Sequence, residues 1–141
     1  LQFDATNEAA VDKVIAIMSQ LPSLTVVLNH QGFGSTALSV NQKHHWLSGL
    51  TKLAKLPNLY VKCSGFEMLD RSFTAETIQQ TVEQLVRLLG QSRVMMASNF
   101  PLITLSMSYS EYWSMVVDVL KETSLPMEKL VDLNAREIYR F

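Results

Sequence analysis

His30 follows directly on the apolar run Leu24-Thr25-Val26-Val27-Leu28 and Asn29. A neutral imidazole in that place can hydrogen-bond a carbonyl, bind a metal or carry a proton near neutral pH. Lys62 lies within a second run, Leu59-Tyr60-Val61-Lys62-Cys63, which Ser64-Gly65 closes. A lysine on a strand needs an anionic or carboxylate partner if it turns inward. Asn99 follows a third run, 93–97, within Ser98-Asn99-Phe100-Pro101. Its carboxamide donates and accepts hydrogen bonds but takes up no proton as a carboxylate does. Asp4 ends the short opening Leu1-Gln2-Phe3, and Asp70-Arg71 stand in the segment after Gly65. Each residue also has a plain alternative. His30 can be a capped loop histidine, Lys62 can extend to solvent along its stem, and Asp70 and Arg71 can form a surface ion pair. His44 and His45 read as a solvated helix start, and Cys63 as a small buried hydrophobe.

Asp4, His30, Lys62, Ser64 and Asn99 share one property: they stand at or beside the ends of apolar runs. The run 24–28 is rich in β-branched residues, and reads as a strand buried on both faces, as in a parallel sheet. Strands are also expected at 59–63, 93–97 and, at its closing end, 1–5. Between them lie amphipathic stretches. Val11, Val14, Ile15, Met18 and Leu21 recur at helical steps after Asn7, a candidate N-cap. A second helix is expected over 43–56. A third is capped by Thr74 and stopped by Gly90. Ser108 and Glu111 have capping-box spacing for a fourth. A last helix is expected from Ser124-Leu125-Pro126, with the segment 134–141 docked on it. The order β-α-β-α-β-α-β-α-α implies parallel strands with right-handed crossovers. It fits either a small open sheet or part of a (β/α)8 barrel, which typically needs about 250 residues. In both, ligands bind at the carboxyl ends of the strands.

Composition narrows the functional classes. The chain has 141 residues, 48% hydrophobic and 18% charged, which is globular and far from disordered. Twelve basic against thirteen acidic residues leave no positive excess for nucleic acid. One cysteine excludes an internal disulfide framework and a cysteine-only zinc site. No apolar run approaches the roughly 20 residues that span a bilayer. No glycine set matches a dinucleotide or P-loop fingerprint. The expectation is a single domain over 1–141, opening as if inside a domain, with a small-molecule ligand and a cytoplasmic setting.

Three segments in order carry a resemblance. They are Leu24-Thr-Val-Val-Leu-Asn-His30-Gln-Gly32, Leu56-Pro-Asn-Leu-Tyr-Val-Lys62-Cys-Ser64-Gly65 and Arg93-Val-Met-Met-Ala-Ser98-Asn99-Phe100-Pro101. With the ending Asn134-Ala-Arg-Glu-Ile-Tyr139 and the opening Leu1-Gln-Phe-Asp4, the chain resembles the amidohydrolase-related TIM-barrel family, in its branch of sugar lactonases and 2-pyrone-4,6-dicarboxylate lactonase. The resemblance covers strands five to eight plus the C-terminal helix, four βα units. It implies hydrolysis of a lactone or related ester or amide. His30 would contact the substrate carbonyl or a metal, and Asn99 would position water as the second catalytic group. Lys62, Ser64, Asp4 and Arg71 would bind substrate, one that is a lactone or bears a carboxylate. It also implies a divalent metal, zinc, held through His30 only if ligands of strands one to four are supplied elsewhere.

The sequence departs from the family pattern at two points. Asn99 stands where most members have Asp, and the position two beyond Pro101 is Ile103 rather than a second Asp. The first-strand His-x-His pair is absent. Two functions follow as expectations: a hydrolase half inactive as an isolated monomer, or a non-catalytic half barrel that folds as a homo-oligomer. In either, the chain associates with itself or with the missing barrel half, because open sheet edges pair readily.

Overall fold

Capping chemistry sets the helix starts. The computed structural model describes residues 1–34 and 38–141. Asn7 accepts from the Ala10 N–H at the head of α1 (Glu8–Gln20). Ser39 and Gln42 form a capping box before α2 (Val40–Leu53), so this helix begins and ends three residues ahead of the expected span. Local side-chain bonds to free N–H groups outweighed the apolar periodicity there. Thr74 heads α3 (Ala75–Leu89), and Gly90, at φ +83°, stops it. Ser108 and Glu111 close the box before α4 (Tyr109–Glu122).

Among the described residues three strands, β1 (Val26–Leu28), β2 (Leu59–Cys63) and β3 (Val94–Met96), form a parallel sheet in chain order. Leu28 pairs with Val61, and Val61 with Val94. Along β2 burial alternates: Leu59, Val61 and Cys63 join the helical core, while Tyr60 and Lys62 are half-buried. The helices thus cover one face of the sheet. This corrects the expectation for β1. Only Leu28 is fully buried; Val26 and Val27 are half-buried and Leu24 is exposed. The opening segment is no regular strand either. Leu1 nevertheless lies against β1, its nitrogen donating to Val27 O at 2.8 Å and its carbonyl accepting from the Asn29 N–H at 2.8 Å.

Two polar side chains tie the sheet to its surroundings. The Arg93 guanidinium donates to the carbonyls of Leu89, Leu56 and Ala54 at 2.8, 2.8 and 3.0 Å. It thereby satisfies carbonyls near the ends of α3 and α2. The last helix begins at Met127, just past Pro126, passes through a π turn at Lys129–Leu133 and continues as α5 (Asn134–Tyr139), so the segment from Asn134 extends this helix instead of docking on it. Asn134 is 1% exposed and donates to Gln91 O and Val94 O, both at 2.7 Å. This side chain covers part of the β3 edge, which would otherwise present free carbonyls.

Candidate active site

The carboxyl ends of the three strands open on one cleft of about 320 Å³. β1 delivers His30, β2 delivers Lys62 and Ser64, and the exit of β3 delivers Ser98 and Asn99. Parallel strands in register place these exits side by side, so residues far apart in the chain face the same space.

His30 sits in a left-handed turn. His30, Gln31, Gly32 and Phe33 have φ of 53°, 41°, 63° and 59°. Non-glycine residues there cost roughly 1–2 kcal/mol each, so the turn needs outside support. Gln31, 1% exposed, supplies it. Its side chain donates to Gly34 O at 2.8 Å and accepts from the Ser64 N–H at 3.0 Å, while its carbonyl accepts from the Trp46 indole at 2.7 Å. The Gly32 carbonyl accepts from the Ala5 N–H at 3.2 Å. The His30 ring is keyed to β2 by Nδ1, 3.0 Å from Ser64 Oγ. Gly65, at φ +71°, permits that approach: a Cβ there would lie 2.5 Å from His30 Nδ1.

Burial lowers the His30 pKa, and the Lys62 charge lowers it further, against the opposing effects of Glu67 and the Ser64 hydrogen bond. The neutral imidazole is therefore favoured near pH 7. Lys62 places Nζ 5.2 Å from the centre of the Tyr139 ring, a cation–π contact with α5. Burial pushes the Cys63 thiol well up, so it is inert as a nucleophile.

Asn99, at φ 58°, donates from Nδ2 to Glu67 Oε1 at 2.5 Å. Glu67 lies in the short turn Phe66–Met68 after β2 and is only 6% exposed. Sequence reasoning passed over Glu67 and left Gln31 without a role. The signal for Glu67 was a lone acid inside Gly65-Phe66-Glu67-Met68-Leu69, just beyond a strand end.

The structure brings His30, Lys62, Ser64 and Asn99 together at the cleft. Asp4 lies elsewhere, exposed and accepting from the Thr6 N–H and hydroxyl at 2.8 and 2.7 Å. Arg71 is exposed and does not line the cleft. His44 and His45 are exposed on α2. Among the described residues no three histidine, cysteine, aspartate or glutamate side chains cluster to hold a metal. A zinc site needs at least three protein ligands, so the described residues alone do not fit one. Among them, too, no helix is long and apolar enough to cross a membrane.

Residues 3–141 match the family model described as amidohydrolase. A curated relative, the uncharacterized protein y4mH of Sinorhizobium fredii, is 31% identical over 107 residues, 74% of this chain and 34% of the relative. A solved amidohydrolase of Burkholderia multivorans with bound zinc is 25% identical, with a TM-score of 0.79 over 95% of this chain and 50% of its own. An amidohydrolase of Bifidobacterium longum subsp. infantis is 25% identical, with a TM-score of 0.66 over 93% of this chain and 46% of its own. A candidate 2-pyrone-4,6-dicarboxylic acid hydrolase of Pseudomonas putida is 19% identical, with a TM-score of 0.64 over 92% of this chain and 49% of its own. This last likeness concerns the fold alone. The chain spans about a third of the curated relative and about half of the solved ones. Its α/β fold is of the (β/α)8 TIM-barrel type.

Proposed function

The chain belongs to the amidohydrolase family, and on that premise we propose that it carries one half of the active site of a cytoplasmic lactone hydrolase. The observation that supports this reading is the convergence of His30, Lys62, Ser64 and Asn99 on one cleft at the strand ends. His30, neutral and with Nδ1 accepting from the Ser64 hydroxyl, donates from Nε2–H to the lactone carbonyl oxygen. Lys62 recognises a carboxylate or ring hydroxyl of the substrate, leaving its contact with Tyr139 to do so. Asn99 positions the water. Water oxygen bonds to the carbonyl carbon and the ring C–O bond breaks; one water proton ends on the ring oxygen and the other stays with the new carboxyl group, giving an open hydroxy acid. Asp4 and Arg71, outside the cleft, act on substrate only if the completed site extends to them.

The missing strands one to four come from residues beyond this chain or from a second copy. Exposed Leu1, Ile17 and Leu24 border the β1 side of the sheet and suit such an association. A divalent metal such as zinc belongs to this reading only if those strands bring further ligands to join His30. Light scattering after size exclusion tests the assembly: a mass near twice 15.9 kDa supports two half barrels closing on each other. A strict monomer removes the second copy from the reading. The chemistry is tested by loss of lactone hydrolysis in His30→Ala.

A second reading, a non-catalytic half barrel that survives as a homo-oligomer, is favoured by the amide at Asn99. An assembled protein inert toward all lactones supports it.

A further inference from the structure

Glu67 has no part in the reading above, yet it is almost fully buried. A carboxylate in such a place must be paired or it is strongly destabilising. Oε1 has its partner in Asn99 Nδ2, while Oε2 is buried with no hydrogen-bond partner among the described residues. Both members of the pair are anchored by one aromatic cluster. Phe66, next to Glu67 and fully buried, stacks on Phe73 at 5.5 Å. Phe73 meets Tyr112 edge-on at 6.4 Å, and the Tyr112 hydroxyl donates to Ala97 O at 2.8 Å, just ahead of Asn99. The cluster thus fixes the backbone on either side of the pair, next to Glu67 and two residues ahead of Asn99. The Glu67 charge acts on His30 on the cleft side and on Tyr112 on α4.

We propose that Glu67 is the positioning residue for Asn99: by holding Nδ2 in the hydrogen bond to Oε1, it leaves Oδ1 as the end of the carboxamide presented to the hydrolytic water. This deepens the functional reading and rests on it, since it takes Asn99 as the residue that places that water. It also accounts for the amide at 99. A carboxylate there would face Glu67 across a hydrogen-bond distance, and two carboxylates so close do not both ionise. The acid at 67 and the amide at 99 are a matched pair. Exchanging the two groups between the positions keeps the hydrogen bond and reverses its direction.

A double-mutant cycle tests the pairing without substrate. The full chain and its variants Asn99→Asp, Glu67→Gln and Glu67→Gln/Asn99→Asp are unfolded thermally at pH 8. Asn99→Asp alone lowers Tm by about 5 °C, and the double variant recovers most of that loss. A loss that is the same in both backgrounds overturns the proposal. On the assembled protein, Glu67→Leu lowers kcat for lactone opening about 10- to 100-fold with KM unchanged, and Glu67→Gln, which keeps an acceptor for Nδ2, restores most of it. Equal kcat in Glu67→Leu and wild type overturns the positioning role. A wild type that opens no lactone refutes the functional reading instead, and the unfolding cycle then decides the pairing by itself.

Discussion

His30 Nδ1 lies 3.0 Å from Ser64 Oγ, which ties the imidazole leaving β1 to the hydroxyl leaving β2. The contact engages one ring nitrogen and leaves Nε2 for the cleft. It exists because a left-handed turn carries His30 over the sheet edge and a residue without Cβ stands beneath its ring. The geometry of this cleft is therefore built on backbone strain offset by buried hydrogen bonds.

Gly65→Ala tests the space beneath the ring. The substitution places a Cβ against His30 Nδ1 at a residue with φ +71°. Strain of this kind costs about 1–3 kcal/mol, and the ring must leave Ser64. The expected outcome is a lower midpoint in urea unfolding together with a changed His30 ring resonance in NMR. An unchanged midpoint would show that the turn is looser than described.

Gln31→Leu tests the support of the left-handed turn. It strips the Ser64 N–H of its acceptor and the Gly34 carbonyl of its donor. Each buried polar group left unpaired costs roughly 1–3 kcal/mol. Urea unfolding should report a loss in that range or larger. The effect of Gln31→Glu, which keeps an acceptor for Ser64 but places a carboxylate beside the Gly34 carbonyl, should also be destabilising.

The local half of this architecture was legible in the sequence. Asn7, Thr74 and Ser108 act as caps and Gly90 as a stop because each satisfies or ends its own helix within a few residues. Parallel order was legible from the alternation of apolar runs and helical periodicity. Ser39 was missed because Val40 and Asn41 carry no apolar period to mark the start of α2. The irregular course of Leu1–Phe3 and the half-open faces of β1 depend on what covers the sheet, which no local pattern encodes. At the cleft, His30, Ser64 and Asn99 were legible from their place after apolar runs, and Lys62 as a lone charge near the end of one. Glu67 was not, because its meaning comes from Asn99 and Tyr112, brought near it by the fold.

The His30 titration has a definite sign. Burial places its midpoint below the ordinary 6.5, so the folded state favours the neutral ring. Its contribution to stability is complete above about pH 6.5 and is lost as pH falls through the lower folded midpoint, because the unfolded chain binds the proton first. NMR titration should show this midpoint depressed. Lys62→Met should raise it by removing a nearby positive charge, and Glu67→Gln should lower it by removing a negative one. Shifts of the opposite sign would mean that neither charge is disposed about His30 as described.

We propose that the strand-end cleft opens lactones through His30. The most direct measurement is the rate of acid release from a panel of five- and six-membered sugar lactones and carboxylate-bearing lactones, by the assembled wild type and by His30→Ala side by side at pH 7.5. The expected result is that at least one lactone is opened and that His30→Ala slows it about 100-fold or more, the scale of losing one well-placed donor to a developing oxyanion. Equal rates for the two proteins, or no opening of any lactone by the assembled wild type, would contradict it.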